Sequence, residues 1–471
     1  MKTKSNYTSC QTILFLFSFY LLFIVGCKKQ DEWLDVKRQK SDVVPKSLKD
    51  LQAVLDNTTS MNKNFIQLTV LGTDNISVTD ANLSASSEIE RNTYIWNKDI
   101  FNGQMNGDWT VSYTRVAYTN IVLDALTKIV VDDRNRSNYN NVKGSALFYR
   151  AFVFYELLQM FAKPYDAGTA ATDLGIPLRQ TSDINAPSLR ANLQKCYDQI
   201  TEDLTLAIGL LPETPLYLTR PSSISARALL AKVYLTMGNY TLAGDYANRA
   251  LQKSSTLVDF NSTTISTALP YRFPTFRACI PEIIFYAEAG LYLTTGAYVS
   301  GTGNVDASLY ESYDDHDLRK SIFYQNYGGG KVKFQGTYTG TTQNFSGLAT
   351  NEIYLIRAEC YARNNNTTLA MADLNTLMNK RYATGSFSKL VASTPEEALT
   401  LILRERRKEL PFTAQIRWED LRRLNKDSRY AKQLQRIFSG QTYTLPPNDR
   451  RYVFPIPDLE IQTYGIPQNV R

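Results

Sequence analysis

The residues whose types and spacing could support chemistry gather in two charged stretches of the 471-residue chain. The first is Asp314-Asp315-His316-Asp317, in which all four side chains are of types that bind metal ions. Neighbouring side chains on a strand point to opposite sides, so four adjacent ligands do not easily converge on one ion. The spacing and the glycine of an EF-hand loop are also absent. We therefore predict a turn or helix in which Asp317 pairs with Arg319, and no metal site.

The second stretch, RERRKELPFTAQIRWEDLRRLNK from Arg404 to Lys426, is rich in charges of both signs. Its arginines could serve a nucleic-acid surface or a catalytic site, but glutamates and aspartates are interleaved with them. Opposite charges at helical spacing pair with one another, so we expect a structural ion-pair network around a buried Trp418. The net charge of the chain is only +7, whereas a nucleic-acid surface shows a strong basic stripe. We predict no nucleic-acid partner.

Motifs of common enzyme classes are missing from the sequence. The patterns G-x-S-x-G, H-E-x-x-H and G-x-x-x-x-G-K-[ST] do not occur. The single histidine, His316, cannot supply a histidine-rich metal site or most catalytic triads. A pair of carboxylates could hydrolyse a glycosidic bond, but the spacing singles out no pair among 45 acidic residues. We expect a binding protein without a catalytic step and without a cofactor.

Residue types suited to sugar binding gather in two stretches without helical periodicity, Leu68–Gly107 and Ser255–Gly347. Long irregular segments in a compact protein are usually functional. A sugar presents apolar C–H faces, on which aromatic rings stack, and hydroxyls, which Asp, Asn and Arg hydrogen-bond. Tyrosine is frequent in the second stretch, with eight between residues 286 and 338. The predicted ligand-binding residues are Asp74, Asn75, Tyr94, Trp96, Tyr292, Tyr298 and Tyr327.

Core packing is the alternative role for four of these aromatic residues, namely Tyr94, Trp96, Tyr292 and Tyr298. Trp109 lies on an amphipathic helix and is assigned to the core. Cys196 and Cys360 also lie on helix faces, where a buried thiol is more common than a redox centre.

Helical periodicity predicts the elements that must position these loops. Apolar residues from Ala226 to Met237 recur every three or four positions, Gly238-Asn239 ends that helix, and a second helix follows from Leu242 to Leu251. This hairpin resembles a tetratricopeptide repeat. Because one repeat cannot bury its own face, repeated pairs imply a stacked scaffold. Further helices are predicted at residues 109–121, 147–161 and 193–211, with a loop at 163–188, and as a pair over 351–381.

The N-terminus has the features of a secretory signal. The run Ile13–Val25 is apolar except for one serine and follows two lysines. It is shorter than the roughly 20 residues of a membrane-spanning helix, but it suits the apolar region of a signal peptide. Its end, Gly26-Cys27, resembles the lipobox of bacterial lipoproteins. We predict a signal peptide at residues 1–26 and lipidation of Cys27; the alternative is a cysteine that follows a signal peptide by chance.

Five segments together resemble the SusD/RagB family of outer-membrane lipoproteins. The segment from Arg404 to Lys426 resembles the family signature, and YVFPIPDLEIQTYGIPQN resembles its closing element. The segments KGSALFYRAFVFYEL, SYDDHDLRKSIF and NEIYLIRAECYAR fit the family in matching order. The departure is Thr413-Ala414, where relatives often carry a charged or bulky residue before a glycine.

The resemblance implies a mainly α fold, with a tetratricopeptide-like helical-pair scaffold and an irregular, loop-rich ligand-binding part. It implies one body over residues 27–471, divided into an N-terminal part (27–250), a variable part (255–347) and a C-terminal part (348–471). It further implies a protein on the outer face of the outer membrane that binds a nutrient, usually a glycan, for a SusC-type TonB-dependent transporter. The rivals are an oligopeptide-binding protein of the RagB type and a surface scaffold that recruits a hydrolase.

Overall fold

Helices are the main regular structure of the unit Leu48–Arg471. A computed structural model describes residues 45–275, 280–292, 296–298 and 301–471. The predicted signal peptide and the predicted lipidation site, Cys27, lie outside the described residues. Among the helices of the described ranges, none has both the length and the apolar character needed to cross a membrane.

Sixteen α-helices and two short 3-10 helices occur in the described residues, as expected for a mainly α fold. The α-helices are α1 (Leu48–Leu55), α2 (Thr58–Met61), α3 (Asp80–Ser84), α4 (Glu88–Tyr94), α5 (Gly107–Leu126), α6 (Arg136–Phe161), α7 (Leu193–Leu210), α8 (Ser223–Thr236), α9 (Tyr240–Leu251), α10 (Ala307–Tyr310), α11 (Arg319–Phe323), α12 (Thr350–Arg363), α13 (Thr367–Met378), α14 (Pro395–Glu409), α15 (Ile416–Leu424) and α16 (Asp458–Tyr464). The 3-10 helices are Leu68–Gly72 and Arg450–Tyr452.

The segment from α8 to α9 forms the predicted tetratricopeptide-like hairpin. Gly238 follows the first helix with a φ of 76°, a conformation that glycine adopts without steric cost. The Asn239 side chain accepts a hydrogen bond from the Leu242 N–H at 3.1 Å and thereby caps α9. The rings of Tyr234 and Tyr246 stack 5.6 Å apart across the pair. Local capping and aromatic packing therefore fix the angle between the two helices.

Three further pairs extend the scaffold, namely α5 with α6, α6 with α7, and α12 with α13. The predicted helices coincide with them to within a few residues, except that α5 and α6 extend well beyond their predicted ranges. Helix α6 is buried on every side from Gly144 to Phe161 and is the centre of the core. Helix α9 packs on α12, where a Cβ on Gly244 would lie 3.1 Å from the Cβ of Cys360. Cys360 and Cys196 are buried, as predicted.

Short strands in the described residues form five two-stranded antiparallel ladders. The pairs are β1 (Ile76–Ser77) with β5 (Asn304–Val305), β2 (Leu174–Pro177) with β3 (Arg190–Asn192), β4 (Ile283–Phe285) with β8 (Leu348–Ala349), β6 (Tyr324–Asn326) with β7 (Val332–Phe334), and β9 (Leu434–Phe438) with β10 (Gln441–Leu445). The β1–β5 ladder joins the variable part to the N-terminal part, and the β4–β8 ladder joins it to the start of α12.

Residues 68–107 are more ordered than the predicted irregular segment. They contain one 3-10 helix, α3 and α4, each too short to show helical periodicity in the sequence. The Thr79 side chain accepts a hydrogen bond from the Asn82 N–H, and the Ser87 side chain accepts one from the Glu90 N–H. Such caps satisfy backbone donors that a short helix leaves unpaired.

The charged segment 404–426 surrounds a fully buried Trp418, as predicted. Arg406 pairs with Asp420 at 2.9 Å, and Arg423 pairs with Glu359 at 2.6 Å. The predicted ion-pair network is confirmed, but most of its partners come from other elements and not from the same helix face. The segment therefore joins elements of the scaffold.

Candidate functional site

Two predicted ligand residues, Tyr94 and Trp96, lie against the side chain of Arg436. The guanidinium carbon of Arg436 lies 3.6 Å from the centroid of the Tyr94 ring and 4.6 Å from that of the Trp96 ring. Both aromatic residues are 5% exposed or less. The arginine therefore occupies ring faces on which a sugar would have stacked.

The C-terminal part encloses Asp74 and Asn75 as well. The Asp74 carboxylate accepts hydrogen bonds from Arg417 Nε and Lys432 Nζ, both at 2.7 Å. Burial opposes ionisation of Asp74, but Arg417 and the neighbouring cations outweigh it and hold its pKa well below the usual range. Asn75 is fully buried and donates a hydrogen bond to the Pro411 carbonyl. This placement favours a structural role for the four residues, and ligand binding by them stays a prediction.

Tyr292 attaches the variable part to the start of α5, and Tyr298 is buried. The Tyr292 hydroxyl donates to Asp108 Oδ2 at 3.2 Å, and burial raises the pKa of the Tyr298 hydroxyl to about 12. Burial raises the pKa of Asp108 to about 6, although the Leu68 N–H stabilises its charged form. Tyr298 is buried and Tyr292 is half-buried, so their positions favour the core alternative.

The tyrosine enrichment of the variable part is mainly a feature of its core. Of the eight tyrosines between residues 286 and 338, Tyr327 alone is mostly open to solvent, at 52% exposure. Tyr338 donates to Glu282 at 3.1 Å, and Tyr313 donates to a backbone carbonyl of α14 at 2.6 Å. Tyrosine brings an apolar ring and a hydrogen-bond donor together, which suits a core that contains buried charges.

Tyr327 follows β6 at the tip of the β6–β7 hairpin. The next three residues, Gly328 to Gly330, have φ angles between 57° and 80°, and this left-handed backbone favours glycine. The Gln335 Nε2 donates to the Tyr327 hydroxyl at 3.3 Å, and the Lys331 ammonium lies 5.7 Å from the ring centroid. The ring is therefore held in one orientation while half of the residue stays exposed.

Three polar residues in or beside this hairpin, Arg272, Gln325 and Gln335, were not predicted from the sequence. Arg272 Nη2 donates to Gln325 Oε1 at 2.6 Å, and the Arg272 N–H donates to the Gln335 carbonyl at 3.3 Å. Isolated polar residues in an irregular segment produce no periodic signal, so no pattern singled them out. We call Tyr327, Lys331, Arg272, Gln325 and Gln335 the Tyr327 surface.

The acidic stretch 314–317 does not converge on one point. Asp317 pairs with Arg319 at 2.7 Å, which confirms the predicted structural pair. Asp314 instead accepts a hydrogen bond from the Tyr382 hydroxyl at 2.6 Å. Across the part of the chain that the structure describes, no group of three or more His, Cys, Asp or Glu side chains could hold a metal ion.

The fold defines a class of protein, a helical-repeat scaffold with a loop-rich part that carries the candidate ligand surface. Comparison with known families narrows this class. Residues 32–235 match the SusD-like_3 family, described as starch-binding associating with outer membrane. Residues 290–470 match the SusD_RagB model of the SusD family. The chain belongs to the SusD family.

Individual relatives resemble the chain along nearly its whole length. It is 24% identical to SusD-like protein P2 of Formosa agariphila over 94% of this chain and 96% of that protein. A solved SusD superfamily protein from Bacteroides thetaiotaomicron has a TM-score of 0.72 at 21% identity, covering 90% of this chain and 100% of that one. A laminarin-binding SusD-like protein has a TM-score of 0.62 at 19% identity, covering 89% of this chain and 97% of that one. These similarities confirm the predicted fold class.

Membership of the SusD family indicates the general function of the protein. Proteins of the SusD family are nutrient-binding proteins associated with the outer membrane, and they act by binding ligands. The predicted functional class, nutrient binding, is therefore confirmed at this level.

Proposed function

We propose that this protein binds a glycan at the cell surface, without a catalytic step or cofactor, and passes it to a SusC-type TonB-dependent transporter. The observation that carries the proposal is the Tyr327 surface, where a half-exposed ring lies beside the exposed Lys331 and the half-buried Gln325. The buried Arg272 and Gln335 hydrogen-bond Gln325 and the Tyr327 hydroxyl and hold them in place. This combination complements both the apolar face and the hydroxyls of a sugar. The laminarin-binding relative supports a saccharide ligand in preference to a peptide.

The proposal includes a lipid anchor at Cys27 after removal of residues 1–26, with the body facing the cell exterior. Each buried methylene contributes about 0.8 kcal/mol of membrane affinity, and several acyl chains together anchor a protein durably. An anchored protein next to its transporter needs only modest affinity, because released ligand is recaptured at high local concentration.

The test is isothermal titration calorimetry of the protein, expressed from the residue after Cys27, against a panel of polysaccharides with a tryptic digest alongside. Binding of one glycan class is expected, and Tyr327→Ala should weaken it about three- to ten-fold, since a stacked ring contributes about 0.5–1.5 kcal/mol beyond its buried area. Tyr217→Ala is the matched control, because Tyr217 is 60% exposed and lies 5.6 Å from Arg220 in a different part of the protein. The affinity of Tyr217→Ala for the glycan should equal that of the unaltered protein.

The other outcomes separate the rivals. Heat from the tryptic digest alone would identify an oligopeptide-binding protein of the RagB type. Glycan binding that Tyr327→Ala leaves unchanged would remove the Tyr327 surface from the site. The absence of heat from both classes would favour a surface scaffold that recruits a hydrolase.

A further inference from the structure

A groove between α5, the loop 179–188 and α16 contains none of the residues predicted to bind ligand. Its volume is about 320 Å³, and its elements differ from those of the Tyr327 surface. We call it the α5–α16 groove. Small-molecule sites in proteins occupy about 300–1,000 Å³, so the groove is large enough for a small ligand.

The lining of this groove includes apolar surface that is exposed to solvent. Helix α5 presents the small, exposed residues Thr110, Thr114 and Ala117 at helical spacing, which leaves room above the helix. The opposite walls carry Tyr464, which is 44% exposed, and Ile184, which is 84% exposed. No residue of α16 is buried, and Glu460 and Tyr464 of this helix line the groove.

Polar groups on the loop wall are held in fixed positions. The Arg179 guanidinium donates to the carbonyls of Ala186 and Asp183, both at 2.8 Å. The Ser182 N–H donates to Asp124 Oδ2 at 2.7 Å, which ties the loop to α5. The groove therefore has a preformed guanidinium at one side, and pre-organised groups bind a ligand with less loss of conformational entropy.

The groove is also lined by the aromatic ring of Tyr113, on α5, and by the carboxylate of Glu460, on α16. The half-buried Tyr113 donates its hydroxyl hydrogen bond to the Pro177 carbonyl at 2.9 Å, which fixes its ring beneath the groove. Glu460 lines the α16 wall and is half-buried, and this burial raises the pKa of its carboxyl. Two tyrosine rings, a guanidinium and a carboxylate thus line one small groove.

We propose that the α5–α16 groove is a second saccharide-binding site, which takes one or two sugar units. The inference rests on the proposed function, because it assumes a glycan ligand for the protein. Tyr113 and Tyr464 would contact the apolar face of a sugar ring, while Arg179 and Glu460 would hydrogen-bond its hydroxyls. An apolar side chain from a protein partner fits less well, because it would bury both charged groups without replacing their hydrogen bonds to water.

The test is saturation-transfer-difference NMR with glucose, galactose, mannose, xylose and laminaribiose, performed on Tyr327→Ala. Residual binding of at least one probe is expected in this background. Adding Thr114→Trp should abolish it, because Thr114 is exposed on α5 and an indole there would fill the groove. Thr205→Trp is the matched control at an exposed position of α7, and it should leave the signal intact. Glu460→Gln should weaken the residual binding several-fold.

Two results would overturn the inference while leaving the proposed function standing. One is saccharide binding by the unaltered protein that Tyr327→Ala abolishes completely. The other is residual binding that Thr114→Trp and Thr205→Trp affect equally. If the unaltered protein binds no saccharide on the calorimetric panel or in these spectra, the proposed function fails and the groove assignment fails with it.

Discussion

Ala414 has a backbone conformation that its own side chain disfavours. Its φ is 44°, in the left-handed region where the Cβ of an L-residue is crowded. The Ala414 N–H donates to the Phe345 carbonyl at 2.9 Å, so a contact with the variable part holds this conformation in place.

We predict that Ala414→Gly raises the free energy of unfolding by about 0.5–1 kcal/mol. Relief of the left-handed conformation contributes about 1–2 kcal/mol, and the greater freedom of glycine in the unfolded chain removes about 0.5–1 kcal/mol. Urea denaturation measures the difference. Ala81→Gly, at an exposed helical position of α3, is the control and should destabilise by about 1 kcal/mol. Equal losses in the two variants would contradict the assignment of strain to Ala414.

Helix α15 is the element through which the family signature stabilises the scaffold. The Trp418 ring lies 4.9 Å from the ring of Tyr452 and is fully buried. On its other side the 3-10 helix approaches so closely that a Cβ on Gly72 would lie 2.9 Å from the indole. Trp418 thus packs between Gly72, near the start of the described chain, and Tyr452, near its end.

Trp418→Ala is expected to lower the free energy of unfolding by about 3–5 kcal/mol, because it removes a large buried side chain and leaves a cavity. Thermal or urea unfolding measures the loss, and Trp418→Phe should lose less. At temperatures where the variant stays folded, its saccharide affinity should equal that of the unaltered protein. A variant of normal stability that no longer binds would instead place Trp418 in the ligand site.

Buried charges connect the parts of the molecule. Arg381 pairs with Glu282 at 2.6 Å and with Glu409 at 2.8 Å, and all three side chains are fully buried. These residues come from the variable part and from two segments of the C-terminal part. A buried charge that loses its partner destabilises a protein by several kcal/mol, so the pairs tie the variable part to the scaffold.

Glu156 makes the stability of the whole molecule depend on pH. Burial raises its pKa to about 8, although Lys232 favours the charged form. The folded protein therefore binds this proton more tightly than the unfolded chain, whose carboxyl has a pKa near 4.5. The stability that Glu156 contributes is complete below pH 4.5 and is lost as pH rises to about 8.

We predict that Glu156→Gln flattens the decline in stability between pH 5 and pH 8, because the amide is neutral throughout. One titrating group changes the free energy of unfolding by at most about 1.4 kcal/mol per pH unit. Urea denaturation of both proteins across this range measures the slope. Glu202→Gln, on the exposed side of α7, should keep the original slope. A slope that Glu156→Gln leaves unaltered would show that other groups cause the pH dependence.

Local patterns in the sequence predicted the helical pairs well. The α8–α9 hairpin follows from apolar spacing and from the glycine that ends its first helix, both of which act within a few residues. The Asp317–Arg319 pair also has a short separation along the chain. Helices α3 and α4 were missed because five to seven residues are too few for a periodic pattern.

The sequence by itself determined the family, the helical scaffold and the location of the loop-rich part, because these depend on local spacing and on motifs in order. Only the tertiary structure decided which candidate residues face solvent. Tyr94 and Trp96 have the composition of a sugar site, yet Arg436, more than 300 positions later, covers both rings. Tyr327, at a hairpin tip, has the Lys331 ammonium 5.7 Å from its ring centroid and is still 52% exposed. Burial depends on contacts between distant segments, which spacing along the chain does not encode.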